Sequence, residues 1–309
     1  MDKKIVTSIG GLGNQMFCYA FYKKLCMEYP QQTFFMDISD VWDRRYERGA
    51  EFLHAFPNIM INEATLAEIR QIEHKFAFRY RGKGSRILRK LVDHINTKYM
   101  MSKRKYCVTE ERFKDWKSTI PDSEWSNILY FDGYWQDVSY YEQYINELKK
   151  DFQFIKIDDK KNQFLMKEIE TTESVSVHIR RGDYVGEILD ILDTKYYSDI
   201  IKNIQQENPH SWFYFFSNDA EYVKKEYAWL KEKTIVEHNC GLESFRDMQL
   251  MSACKKNIIA NSTFSIWAAL LNDNPYKKVY YPSHYYAGIE MQNINLPGFV
   301  KMQVNKQKG

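Results

Sequence analysis

The chain has 309 residues, 44% hydrophobic and 28% charged, with 44 Lys and Arg against 41 Asp and Glu. This composition excludes a disordered or collagen-like chain and allows one large domain or two ordinary ones with a substantial core. A formal charge of +3 does not mark a nucleic-acid binder.

The five cysteines (Cys18, Cys26, Cys107, Cys240 and Cys254) form no CxxC pair and are odd in number. They argue against a zinc knuckle or a disulfide framework and for reduced thiols. The opening MDKKIVTSIGG has too short an apolar run for a signal peptide, and no stretch reaches the roughly 20 apolar residues of a spanning helix. A cytoplasmic protein is expected, with peripheral contact at the inner face of a membrane left open.

In chain order, KIVTSI reads as a strand, GGLGN as a glycine loop, QMFCYAFYKKLCMEY as a helix and TFFMD as a second strand. Residues 40–125 are less regular and include EATLAEIRQIEHKF as a helix. NILYFDGYW is strand-like and leads into a helix from about Ser139 to Lys150. The polar IDDKKNQ, at 157–163, reads as a linker. From Ser174 the pattern alternates: SVSVHI, WFYFFS, KTIV, NIIA and, as the last, KVYY as strands, separated by helices YYSDIIKNIQQ, AEYVKKEYAWL, ESFRDMQLMSAC and FSIWAALLN. Such alternation predicts a parallel sheet covered on both faces. The fold class expected is therefore α/β: two doubly wound domains, 1–155 and 156–309, facing a cleft.

Residues 79–106 carry ten Lys or Arg and one Asp, with Ile87, Leu88, Leu91, Val92 and Ile95 at helical spacing. They read as a solvated helix face or as a contact with anionic membrane.

Four stretches carry candidate chemistry. GGLGNQMF sets Gly10, Gly11 and Gly13 between a strand and a helix, with Asn14 and Gln15 following. Glycines there let backbone N–H groups approach an anion, or simply make a tight turn. Met16 stands where GxGxxG needs its last glycine, so a dinucleotide reading is weak.

VSVHIRRGDY ends a strand with His178, Arg180, Arg181, Gly182 and Asp183. Ligands of doubly wound sheets bind beyond the carboxyl ends of strands, and arginine forks match phosphate. A surface ion pair, Arg181 with Asp183 for example, is the plainer use of the same residues. FFSNDAEY places Ser217, Asn218 and Asp219 where they either cap a helix or serve a base or ribose. IIANSTFSIW places Asn261, Ser262, Thr263 and Ser265 where they cap a helix or help its N–H groups cradle phosphate. Turns after strands of one sheet converge on one edge. The sequence has no Asp-x-Asp triplet, no HExxH and no paired Cys-His spacing. No metal is expected, and arginine takes that place on a diphosphate.

In this order and spacing, GGLGNQMF, HIRRGDY, FFSND and ANSTFSIWAA resemble the bacterial α1,2-fucosyltransferases of glycosyltransferase family 11, over roughly residues 4–282. The resemblance implies a GT-B-like pair of Rossmann-type domains and inverting chemistry. It also implies GDP-fucose as donor substrate, with no further cofactor or metal. The acceptor would be a galactose-terminated glycan, for which a lipid-linked form is one option, held on the 1–155 side; residues 156–309 would bind GDP-fucose.

Arg180 and Arg181 would then meet the diphosphate, and Ser262, Thr263 and Ser265 its oxygens. His178 and Asp219, with Asn218 beside them, would lie near guanine or ribose. Gly11 and Gly13 would form the loop before Asn14, itself near fucose and the leaving oxygen. Cys18 departs from the pattern, since many relatives carry Gln there. Asp183 and Glu187 are the sequence-local carboxylates for taking the acceptor proton, and Asp183 serves equally to orient Arg181. Acceptor specificity is expected in 40–135, where Tyr134 and Trp135 stack on a sugar or, for Trp135, fill the core. The alternatives are another GDP-sugar glycosyltransferase of O-fucosyltransferase type, or a non-catalytic glycan- or nucleotide-binding protein.

Overall fold

The computed structural model describes residues 3–39, 49–69, 107–286, 288–292 and 294–304. The chain splits into two compact units, one of Met1–Ala50 with Ile59–Gln136, the other of Glu51–Asn58 with Asp137–Gly309.

In the first unit β1 (Lys4–Thr7) leads through the glycine loop into α1 (Leu12–Glu28) and then β2 (Phe34–Asp37). Helix α2 (Glu51–Ala55) groups with the second unit. β3 (Cys107–Thr109), α3 (Glu110–Asp115) and β4 (Tyr130–Asp132) complete the first unit, whose sheet runs β2-β1-β4-β3 with parallel pairing. The near-continuous apolar run of α1 is explained by burial on most sides, from Leu12 through Leu25.

The second unit continues with α4 (Ile145–Asp151), α5 (Lys160–Thr171), β5 (Glu173–Ile179), α6 (Thr194–Glu207), β6 (Ser211–Ser217), α7 (Ala220–Glu226) and β7 (Lys233–Val236). α8 (Phe245–Ala253), β8 (Lys256–Ile258), α9 (Thr263–Leu271), β9 (Lys278–Pro282), β10 (His284–Tyr286), β11 (Ile289–Glu290) and β12 (Phe299–Met302) follow. Its main sheet is parallel, in the order β12-β9-β8-β5-β6-β7. From β5 the chain winds outward to β7, then returns to the other flank of β5 at β8. The topological switch point therefore lies between β5 and β8, where doubly wound sheets bind ligands.

The two-residue period of β5 sorts its side chains by face. Val175, Val177 and Ile179 share one core with Tyr197 and Ile201 of α6 and Val223 of α7. Ser174, Ser176 and His178 point the other way, where Asn257 Nδ2 donates to Ser176 Oγ at 2.7 Å.

Several expectations need correction. IDDKKNQ is not a linker: Asp159 caps α5, accepting from the Asn162 backbone at 2.8 Å, and Ile157 is buried. KVYY is not the last strand, because β12 pairs beyond it. The Ser139–Lys150 helix is two short 3-10 turns followed by α4. Of EATLAEIRQIEHKF, residues 66–69 are helical and 70 onward lie outside the described residues, as does 79–106. Among the described residues no helix is long and apolar enough to cross a membrane.

Candidate functional site

Strand register brings the polar turns of the second unit together. Ile179 pairs with Ser217, and Val177 with Ile258. The turn after β5 is therefore flanked on one side by Asn218 and Asp219 and on the other by Asn261 and Ser262.

The two arginines of that turn, just past the end of β5, diverge. Arg181 turns toward α7: its Nε donates to Asp219 Oδ2 at 3.3 Å, and its Cζ lies 3.7 Å from the centre of the Tyr222 ring. Its partner among the described residues is Asp219; the side chain of Asp183, the example offered from sequence, lies outside what is described. Arg180 lies with its Cζ 5.6 Å from the Tyr184 ring centre and acts electrostatically on His178. His178 is buried, and its Nδ1 has no hydrogen-bond partner among the described residues. Burial first, and then the Arg180 charge, lower its pKa to about 3, so its ring is neutral at physiological pH.

Asn218 and Asp219 shape this corner. Asn218 Oδ1 accepts from the Arg181 backbone at 2.9 Å. Gly182 sits beneath it at φ +30°, where a Cβ would meet Asn218 Nδ2 at 2.3 Å. Asp219 caps α7, its Oδ1 accepting from the Tyr222 backbone at 3.0 Å, while Oδ2 holds Arg181. The capping and charge-pairing uses of this carboxylate are thus combined.

On the other flank Ser262 is the N-cap of α9 without a side-chain capping bond, and α9 has no acidic residue in its first turn. That leaves the helix N-terminus favourable to an anion. Thr263 begins the helix and is partly exposed. Ser265 is buried and directs its hydroxyl to the carbonyls of Ser262 at 3.2 Å and Ala260 at 3.4 Å. Asn261 is a clasp: its Nδ2 donates to Leu189 O at 3.0 Å and Tyr285 O at 2.6 Å. This ties down the 182–190 turn, which carries Asp183 and an exposed Glu187.

In the first unit, Gly10 has φ +79°, and a Cβ there would meet Asn14 Nδ2 at 2.5 Å. Gly11 is the N-cap of α1, with no side-chain capping bond, and Gly13 is buried in its first turn. Gln15 is a strut, its Nε2 donating to Gly10 O at 2.9 Å and Gly49 O at 3.0 Å. Cys18 is buried in α1 with its Sγ 3.6 Å from Gly133 O, and burial pushes its thiol up to about 12.

Trp135 belongs to the core and is no sugar platform: it is 0% exposed and stacks on Phe21 at 3.7 Å between centroids. Its backbone is left-handed, φ 57°, and its N–H donates to Glu110 Oε2 at 3.1 Å. Tyr134 beside it is 43% exposed.

Sequence reasoning missed Gln136, which bonds Asn14, and Tyr222, which carries Arg181. The signal for Tyr222 was its place three residues after a capping Asp, on the first turn of a helix. Among the described residues no group of His, Cys, Asp or Glu is placed to hold a metal ion.

The family model for Glycosyl transferase family 11 matches residues 5–302. The chain is similar to the O-antigen biosynthesis glycosyltransferase WbnK of Escherichia coli, 32% identical over 138 residues, 43% of this chain and 46% of that protein. It is also similar to an alpha-1,2-colitosyltransferase of Escherichia coli, 38% identical over 125 residues, 38% of this chain and 42% of that one. The chain thus matches under half the length of these curated relatives. Its fold is similar to that of the NodZ alpha-1,6-fucosyltransferase co-crystallised with GDP, with TM-score 0.55 and 13% identity over 87% of this chain and 92% of NodZ. NodZ from Bradyrhizobium gives 0.54 and 14% over the same shares. The parallel sheets and these neighbours agree with the expected α/β, GT-B-like class. Matched by the family model from β1 to β12, the chain belongs to glycosyl transferase family 11.

Proposed function

We propose that the protein transfers L-fucose from GDP-fucose to the 2-hydroxyl of a terminal galactose in a glycan, with inversion and without a metal ion. The observation that carries this reading is the convergence of the turns after β5, β6 and β8 on the switch point of one parallel sheet, with Arg180, Arg181 and the N-terminus of α9 there. Such a corner suits the diphosphate of a nucleotide sugar. The names of similar proteins support the donor and the linkage: NodZ is a fucosyltransferase crystallised with GDP, and the 38% identical relative forms an alpha-1,2 bond.

Departure of the sugar leaves negative charge on the diphosphate. Arginine donors held in place before reaction stabilise that charge more in the transition state than in the ground state. His178 stays neutral and adds no second cation beside Arg180. Asp183 and Glu187, on the turn held by Asn261, are the proposed carboxylates for the acceptor proton. Asn14 is proposed to serve the fucose and the leaving oxygen, and exposed Tyr134 the acceptor sugar. A lipid-linked acceptor, with residues 79–106 against anionic membrane, completes the proposal; no binding to anionic liposomes at low salt would remove that part.

A second reading keeps the site and changes the sugar to colitose, favoured by the name of the 38% identical relative. The test is transfer from GDP-fucose to a panel of β-galactosides with EDTA present, with linkage read by NMR. An α1,2-fucosyl product establishes donor, linkage and metal independence together. GDP binding without fucosyl transfer favours the second reading or another acceptor, and no GDP binding overturns the site.

A further inference from the structure

We infer that Tyr222 is a positioning residue for sugar transfer, its ring fixing the guanidinium of Arg181 for the donor diphosphate; this rests on the donor-site reading above.

Arg181 is held at every point but one. Its backbone N–H is bound by Asn218 Oδ1 at 2.9 Å, its Nε by Asp219 Oδ2 at 3.3 Å, and its Cζ lies 3.7 Å from the Tyr222 ring centre. Its two terminal nitrogens are engaged by no hydrogen bond among the described residues. An arginine gripped at Nε and along one face presents those two nitrogens as a fork, which is the geometry that matches two phosphate oxygens. The side chain keeps 27% exposure.

Tyr222 is itself fixed. Its hydroxyl pairs with Thr194 Oγ1 at 2.9 Å, at the start of α6, and its backbone N–H is bound by Asp219 Oδ1 at 3.0 Å. Asp219 therefore holds both the arginine and the helix turn that carries the ring beneath it. Arginine loses substantial rotamer freedom when it is ordered. A stack already formed in the free protein removes that cost from donor binding.

A merely structural Tyr222 would pack α7 and leave donor affinity alone. The discriminating experiment measures GDP binding by calorimetry on the full chain, together with thermal stability and steady-state transfer. In Tyr222→Leu, GDP binding should weaken about 10-fold, in the range of a partly desolvated cation–π contact. The GDP-fucose kcat/KM should fall with it, while the acceptor KM holds. Tyr222→Phe, which keeps the ring and loses the Thr194 bond, should recover most of the affinity. In an Arg181→Ala background, Tyr222→Leu should cost little more, because the two act as one unit. Tyr222→Met fills the same space without a ring and replaces the leucine variant if that one does not fold.

Wild-type GDP affinity in a folded Tyr222→Leu or Tyr222→Met variant would overturn the inference, as would an undiminished Tyr222→Leu effect without Arg181. Failure of the wild type to bind GDP would instead overturn the donor-site reading itself.

Discussion

Gln136 Nε2 donates to Asn14 Oδ1 at 2.9 Å, closing a bond between the loop after β4 and the first turn of α1. It assigns the amide of Asn14: the oxygen accepts, and the nitrogen lies over Gly10, where a Cβ would meet it at 2.5 Å. If that amide serves the reacting sugar, its orientation is set by Gln136. We expect Asn14→Ala to lower kcat by roughly 10²–10³, the usual cost of one positioned donor. Gln136→Leu should lower kcat about 10-fold with GDP affinity retained. Wild-type kcat in Asn14→Ala would remove this residue from the chemistry.

Arg180→Ala should lose roughly 10²–10³ in kcat without unfolding, and Arg180→Lys should not restore it, since an ammonium cannot reproduce the fork. Thermal melts alongside turnover check both. Asp183→Asn at wild-type rate would pass the role of base to Glu187 or to no residue.

Gly182→Ala tests the corner itself. The new Cβ would arrive 2.3 Å from Asn218 Nδ2, on a backbone of positive φ, a conformation costing about 1–3 kcal/mol for other residues. Asn218 can swing away, but it then releases the Arg181 backbone N–H. Activity should therefore fall by far more than the melting temperature suggests. Equal loss in both would mean that Asn218 has no role beyond packing.

The loop after β4 separates two aromatic roles. Trp135 is sealed against Phe21 and Phe113, with centroids at 3.7 and 5.7 Å. Trp135→Ala should destabilise by about 3–5 kcal/mol, as large core truncations do. Tyr134→Ala should leave stability nearly unchanged and raise the acceptor KM roughly 5-fold, the worth of one sugar-stacking ring. An unchanged acceptor KM would move recognition elsewhere.

His178 and Asp247 give opposite pH dependences. Burial, aided by Arg180, holds His178 at about 3, whereas an unfolded histidine titrates near 6.5. As pH falls from about 6.5 the unfolded chain takes up a proton that the folded chain refuses, so stability drops by at most about 1.4 kcal/mol per pH unit for this group. Burial raises Asp247 to about 7, against a lowering hydrogen bond from Asn239. Its folded form keeps a proton that the unfolded form releases above about 4, so its contribution declines as pH rises toward 7. The two slopes oppose each other between about pH 4 and 6.5. His178→Asn should leave stability more steeply declining with rising pH than in wild type, and Asp247→Asn should leave it rising. Urea titrations across that range check the signs.

Much of the second unit is legible from local pattern, because each parallel strand is a short apolar run between amphipathic helices. Strand order is not local. That β8 returns to the flank of β5, bringing Ser262 level with the arginines, follows from a crossover that no window of residues contains. The split between Arg180 and Arg181 was not readable from the two-residue period of β5, which ends at Ile179, and Tyr222 as the seat of Arg181 required the position of α7. Trp135 was ambiguous because exposed and buried aromatics share one composition signal, and only the packing of Phe21 decides it. β3 and β12 escaped because both are short and carry little alternation.

The segment around α2 is read early in the chain yet packs late. Phe56 lies between Phe152 and Phe154, at 5.1 and 4.9 Å, and Ile155 N–H donates to Ala55 O at 2.9 Å. The second unit is therefore discontinuous, and no single cut frees it intact. A fragment starting at Asp137 would bare aromatic surface that Phe56 normally covers, inviting self-association. Supplying residues 51–58 in trans, or fusing them ahead of Asp137, should restore a monodisperse fragment. During synthesis the ribosome must likewise release about half of the polypeptide before this early peptide finds its seat.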